Sequence, residues 1–186
     1  EKPICNSLND LNLLENISSK KIFVNFPRRY SDWHIKINNK IKKDYPNEIL
    51  NVLMTGNNLG IACNISHCVD LINMWTKCYP LSVDNSRLDN WKNSKRKGFY
   101  ELDGHIQIFF QNNHKLEIFS DNKFDEFLIS IFNKSNKKIC TIDESKGYAK
   151  FEDEEIIHGK LKFQSEITDK LYRILTNENK YNVCNL

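Results

Sequence analysis

Cysteine and histidine crowd together once in this chain, as Cys63-x4-Cys68-x9-Cys78 with His67 in between. Thiolates and imidazoles bind zinc, but zinc sites use paired short spacings. These irregular gaps fit free thiols better, and no metal is expected. His67 beside Cys68 has the residue types of a Cys/His nucleophile pair. Neighbours on a strand point to opposite faces, so the pair is not expected to act. The densest acidic run, Glu152-Asp-Glu-Glu155, reads as a charge cluster at the start of a helix. Basic clusters occur at Lys20-Lys21, Arg28-Arg29, Lys42-Lys43, and Lys92 with Lys95-Arg96-Lys97. They read as solvated surface, or with one of them bordering an anionic ligand. No P-loop, kinase glycine loop, GxSxG elbow or HExxH is present. The expectation is therefore a non-catalytic chain without a cofactor, with any kinase domain outside it.

These residues need a scaffold, and 186 residues with 40% apolar and 27% charged side chains can bury one. A net charge of +3 does not argue for nucleic acid. No apolar run reaches the roughly 18–20 residues that span a bilayer. The six cysteines (Cys5, Cys63, Cys68, Cys78, Cys140, Cys184) and sequons at Asn16, Asn64 and Asn133 leave a second class open. That class is a secreted or surface β-rich domain with up to three disulfides, binding a partner protein. A small enzyme of another type is a third.

Along the chain, 1–19 reads as a lead-in with a short helix near Leu11–Leu14. Trp33-His-Ile-Lys-Ile37 alternates as a strand does, and Asn38–Asn47 reads as a lysine-rich loop. Ile49–Met54, the turn Thr55–Asn58 and Leu59–Cys63 predict a hairpin, and Val69–Met74 with Tyr79–Val83 another. Asp84–Lys97 reads as a short helix or a linker. Strands follow at Phe99–Leu102, His105–Phe110, Lys115–Phe119, Phe124–Phe132, Lys138–Ile142 and Tyr148–Phe151. Phe163, Ile167, Leu171 and Ile174 then mark one face of an amphipathic helix.

The words Gly98-Phe-Tyr-Glu-Leu102, Asp103-Gly104, Ile106–Phe110 and Gln111–Leu116, followed by a hairpin and a closing helix, make Trp91–Asn177 resemble a polo box. Arg29-Tyr-Ser-Asp32 and the 52–62 hairpin resemble a first copy upstream. The resemblance implies an α+β fold of two six-stranded antiparallel sheets, each with a helix, packed as a sandwich. The implied division is 1–19 lead-in, 20–92 divergent first box, 93–178 second box and 179–186 tail.

It also implies a protein-interaction module that targets a mitotic kinase or a kinetochore- or centrosome-associated protein. Its partner would be a protein or phosphopeptide, in the cytoplasm or nucleus, with a homodimer as a further form. The phosphate clamp of such boxes would fall on Lys115, with Asn113 or His114 at the histidine position. Phe26, Trp33 and Trp91 would line the groove. Because His114 and Lys115 are adjacent, they converge only in an irregular turn.

Overall fold

A computed structural model describes residues 7–15, 23–176 and 184–185. In chain order the helices are α1 (Leu8–Glu15), α2 (Asp32–Asp44), α3 (Ile61–Thr76) and α4 (Gln164–Thr176). The strands are β1 (Phe23–Val24), β2 (Asn51–Gly56), β3 (Pro80–Leu88), β4 (Lys92–Asn93), β5 (Tyr100–Glu101) and β6 (Gly104–Phe110). They continue with β7 (Lys115–Ser120), β8 (Leu128–Phe132), β9 (Lys138–Asp143), β10 (Tyr148–Phe151), β11 (Ile156–His158) and β12 (Cys184–Asn185). A single 3-10 turn, Pro27–Tyr30, precedes α2. Cys5, the Asn16 sequon and most of the 179–186 tail lie outside the described residues.

Eight strands form one sheet in the order β11-β10-β9-β8-β2-β7-β6-β3. Every pair is antiparallel except β2 with β7, which runs parallel from Asn51↔Lys115 to Gly56↔Ser120. The two-sheet sandwich is thereby overturned. β2 lies between β7 and β8, so strands expected in separate sheets are neighbours in one.

Alternation along the strands divides the sheet into two faces. Val52, Met54, Leu116, Ile118, Ile129 and Ile131 are almost fully buried on one of them. Leu53, Glu117 and Phe119, which alternate with them, are only half-buried. The apolar stripes of α2 and α3 join the buried face in one hydrophobic cluster.

Both helices fall where the sequence suggests strands or loops. Trp33, Ile37 and Ile41 are all buried and recur every fourth residue, which is the period of a helix face. The alternation over Trp33–Ile37 is a fragment of that longer pattern. In the same way, Ile61, Cys68, Leu71, Ile72 and Trp75 are buried along α3, so the returning strand predicted at 59–63 and the hairpin predicted over 69–83 become one helix and the strand β3, while the first strand of the 49–63 hairpin stands as β2. Short apolar runs do not separate a buried strand from a buried helix.

Two close approaches lock α2 to the sheet edge. The Trp33 indole donates to the Ile157 carbonyl at 3.0 Å. Gly159 lies against the same ring, where a Cβ would run into Trp33 Cβ, Cγ and Cδ1. α4 is amphipathic as expected but packs differently. Ile167 is buried, Phe163 is 78% exposed, and Lys170 reaches the Tyr30 carbonyl at 2.9 Å. The acidic run at Glu152–Glu155 forms the turn between β10 and β11 rather than the start of a helix.

Substituting Gly159→Ala should cost about 1–3 kcal/mol through overpacking, and Leu71→Ala about 2–5 kcal/mol through the cavity it leaves. Urea denaturation measures both. A Gly159→Ala protein as stable as the parent would mean that the Trp33 ring is not seated there.

Candidate functional site

α3 begins where β2 ends. Its first residue follows Gly60, which has a φ of +66° and no side chain to cap the helix. The cap comes instead from a distant strand: Glu101 Oε1 accepts from the Ala62 amide at 2.6 Å. A carboxylate at a helix N-terminus satisfies orphan donors and complements the dipole. The start of α3 is therefore fixed by a contact that local sequence does not announce.

A cavity of about 210 Å³ lies beside this end of α3. Leu59, Ile61, Ile65, Ile118 and Phe127 form its apolar wall, and Arg28, Asn64, His67, Cys68 and Glu144 its polar part. The 3-10 turn delivers Arg28, with Pro27 presetting the first position. The loop after β9 delivers Glu144. That loop is held by Asp143, whose Oδ1 accepts from the Ser145 and Lys146 amides at 3.0 and 2.9 Å.

One ion pair lies in the cavity wall and a second ties the same turn to α3 outside it. Arg28 Nε and Nη2 donate to the two Glu144 oxygens at 2.7 Å each. Arg29 Nε donates to Asp70 Oδ1 at 2.7 Å, and its Nη2 to Asn73 Oδ1 at 2.8 Å. Arg28 and Arg29 are thus inward-facing, with side chains only 15% and 12% exposed, rather than solvated. His34, fully buried on α2, meets Glu144 Oε1 at 2.9 Å.

Burial pushes the His34 imidazole below its ordinary 6.5, so it is neutral and carries its proton on the nitrogen facing Glu144. Burial alone would raise Glu144. Hydrogen bonds from His34 and Arg28, with the charge of Arg28, outweigh it and hold the carboxyl at about 2. Burial raises Asp70 despite the charge of Arg29. With Arg28 matched by Glu144, the cavity walls are close to neutral overall.

A guanidinium has five N–H donors, and Glu144 takes two from Arg28. His67, 5% exposed and edge-on to Phe26 at 5.2 Å, adds an imidazole at the cavity wall. Asn64 is turned back, donating to the Leu59 carbonyl at 2.7 Å. Such walls suit a small molecule with an apolar body and a few hydroxyl, carbonyl or acid groups. Among the described residues no three His, Cys, Asp or Glu side chains gather as metal ligands. The six glycines, at 56, 60, 98, 104, 147 and 159, include no G-x-G-x-x-G cradle for a dinucleotide, so no step is assigned to one.

The predicted clamp residues do not converge. His114 is buried and its Nδ1 accepts from the Leu50 amide at 3.0 Å. Lys115 pairs with Glu117 on the half-exposed face of the sheet. Asn113 is exposed, with φ +63°. Trp33 is core, Trp91 is 64% exposed, and Phe26 is buried against His67. The sequence expectation places His67 on a strand, whereas the structure places it on α3, facing the cavity. The spacing of Ile61, Ile65, Cys68, Ile72 and Trp75 was the available signal for a helix.

No family model and no curated protein matches this sequence. Among solved structures, an oxidoreductase from Sinorhizobium meliloti is similar over 84% of this chain and 49% of its own, at TM-score 0.55 and 10% identity. A dehydrogenase (MviM) from Clostridium difficile is similar over 94% of this chain and 59% of its own, at TM-score 0.53 and 13% identity. The chain therefore spans about half the length of these two structures, and what it shares with them is the fold.

That fold is not a polo box. The expectations of a non-catalytic targeting module and of kinetochore or centrosome roles rested on that resemblance and fall with it. The three-disulfide alternative is not supported either, because Cys63, Cys68, Cys78 and Cys140 take part in no disulfide.

The ionic cluster gives stability a direction in pH. Below 6.5 an unfolded chain protonates His34 while the folded chain resists it. Glu144 contributes fully above its ordinary 4.5, and its share, about 3 kcal/mol, is lost as the pH falls towards 2. Stability should therefore fall on acidification from pH 6.5. Glu144→Gln should cost about 3–5 kcal/mol at pH 7 by stranding Arg28 and should abolish the steep loss between 4.5 and 2. Denaturant midpoints measured against pH test both, and parallel curves for the two proteins would exclude Glu144 as the source.

Proposed function

We propose that this chain is the substrate-binding part of an oxidoreductase-type protein, with the cavity at the start of α3 as its substrate site. The observation that carries this is a small cavity holding an arginine and a buried histidine at the carboxyl end of β2. In open α/β sheets, ligands gather beyond the carboxyl ends of the strands. This cavity likewise lies beyond the carboxyl end of β2, at the start of α3. Two proteins of similar fold are an oxidoreductase and a dehydrogenase.

The ligand class follows from the walls. Near-neutral charge and five apolar side chains favour a small hydroxylated or carbonyl compound over a multiply charged one. The remaining N–H groups of Arg28 hold a polar substituent, Glu144 keeps that guanidinium in place, and His67 exchanges a proton with the hydroxyl at the reacting carbon.

Thermal-shift and calorimetric titration with simple sugars, polyols and 2-hydroxy acids tests the reading. At least one class should stabilise the chain in a saturable way. Ile65→Trp, which fills the cavity, should remove the effect, and His67→Gln should weaken it about tenfold, the scale of one hydrogen bond. Binding that Ile65→Trp leaves unchanged, or no binding by any of the three classes, would overturn it.

A further inference from the structure

At the other end of α3 lies a second, larger cavity of about 470 Å³. It is enclosed by the last turns of α2 and α3, the segment leading into β2, and the turn between β6 and β7. Two lysines border it, Lys42 from α2 and Lys77 just after α3, and among the described residues neither has a carboxylate within ion-pair distance. Burial, and then the neighbouring charge of Lys77, depress the Lys42 ammonium. One carboxylate, Glu48, lines the same space. Asp44 is held away by Lys40 at 2.7 Å.

Lysines near helix C-termini are commonly explained by the helix dipole alone. Two further groups go beyond that explanation. Trp75 lines the cavity and is 3% exposed, yet its indole N–H is buried with no acceptor. His114 also lines it. Its Nδ1 accepts from the Leu50 amide at 3.0 Å, and burial keeps the ring neutral, so the proton sits on Nε2 as a donor. Buried donors call for an acceptor, and the Trp75 N–H has none among the described residues, beside two lysines and a single lining carboxylate, Glu48.

We propose that this cavity binds the phosphate group of a small molecule, held by Lys42, Lys77, the Trp75 indole N–H and His114 Nε2–H. The volume exceeds what a lone phosphate needs, and Ile41, Tyr45 and Ile49 offer a surface for the body of the ligand. Lys115, the lysine next to His114, takes no part, because it pairs with Glu117 on the sheet's other face. The site is separate from the Arg28–His67 cavity and stands whether or not that cavity binds substrate.

The chain holds three tryptophans, so its indole N–H region in an amide-correlation NMR spectrum is simple. Trp75→Phe assigns the relevant signal. Titration with inorganic phosphate and with glycerol 3-phosphate should move that signal saturably, the organic phosphate at lower concentration. Acetate should act at least about tenfold more weakly, since it offers one charge to two lysines. Lys42→Gln/Lys77→Gln alters only exposed side chains and should abolish the shift while leaving the rest of the spectrum intact. No saturable shift would overturn the proposal. So would a shift that survives in the double variant, marking an adventitious ion only, and so would acetate acting as strongly as phosphate.

Discussion

The parallel contact between β2 and β7 is the constraint on which the rest depends. Parallel strands cannot be joined by a tight turn and need a long crossover. Here the crossover from β2 includes α3, β3 and β6 before the chain returns as β7. β2 is consequently interior, paired on both edges, and its Val52–Met54–Gly56 face is closed to water. α3 must turn back across that face to close it. Its first turn then lies at one end of β2 and its last turn at the other. Each end carries a cavity, and α3 supplies side chains to both.

Charge completes what packing begins. The short turn Pro27–Tyr30 has little apolar surface of its own, yet it is tied at both sides. Arg28 reaches Glu144 beyond β9, and Arg29 reaches Asp70 on α3. Isolated buried charges would be prohibitive, whereas paired and hydrogen-bonded ones are tolerated. His34 is drawn into the same cluster as a neutral donor. The Arg28–Glu144 pair in the wall of the first cavity thus clasps the turn to the sheet, and the neighbouring Arg29–Asp70 pair clasps it to α3.

The resemblance to a polo box drew on real features. β6 and β7 form a hairpin, β8 to β10 an antiparallel meander, and an amphipathic helix follows. What failed was the join. β7 and β8 are not neighbours, because β2 separates them. The upstream segment taken for a second set of strands supplies that central strand and two helices instead.

The sequence by itself determined the strands of the second half, their inward and outward faces and the final helix. Period-two alternation at Ile106–Phe110, Leu116–Ile118 and Ile129–Ile131, and fourfold spacing around Ile167, are local properties. Tertiary structure alone decided three things. It chose β2 as the partner of β7, it made helices of 32–44 and 61–76, and it buried Arg28, Arg29 and His34 together. The reason is common to all three. Alternation fixes which face a side chain points to but says nothing of which strand lies alongside. A short apolar run becomes a helix or a strand according to what packs on it, and a charge becomes a buried partner only where the fold brings its opposite within reach.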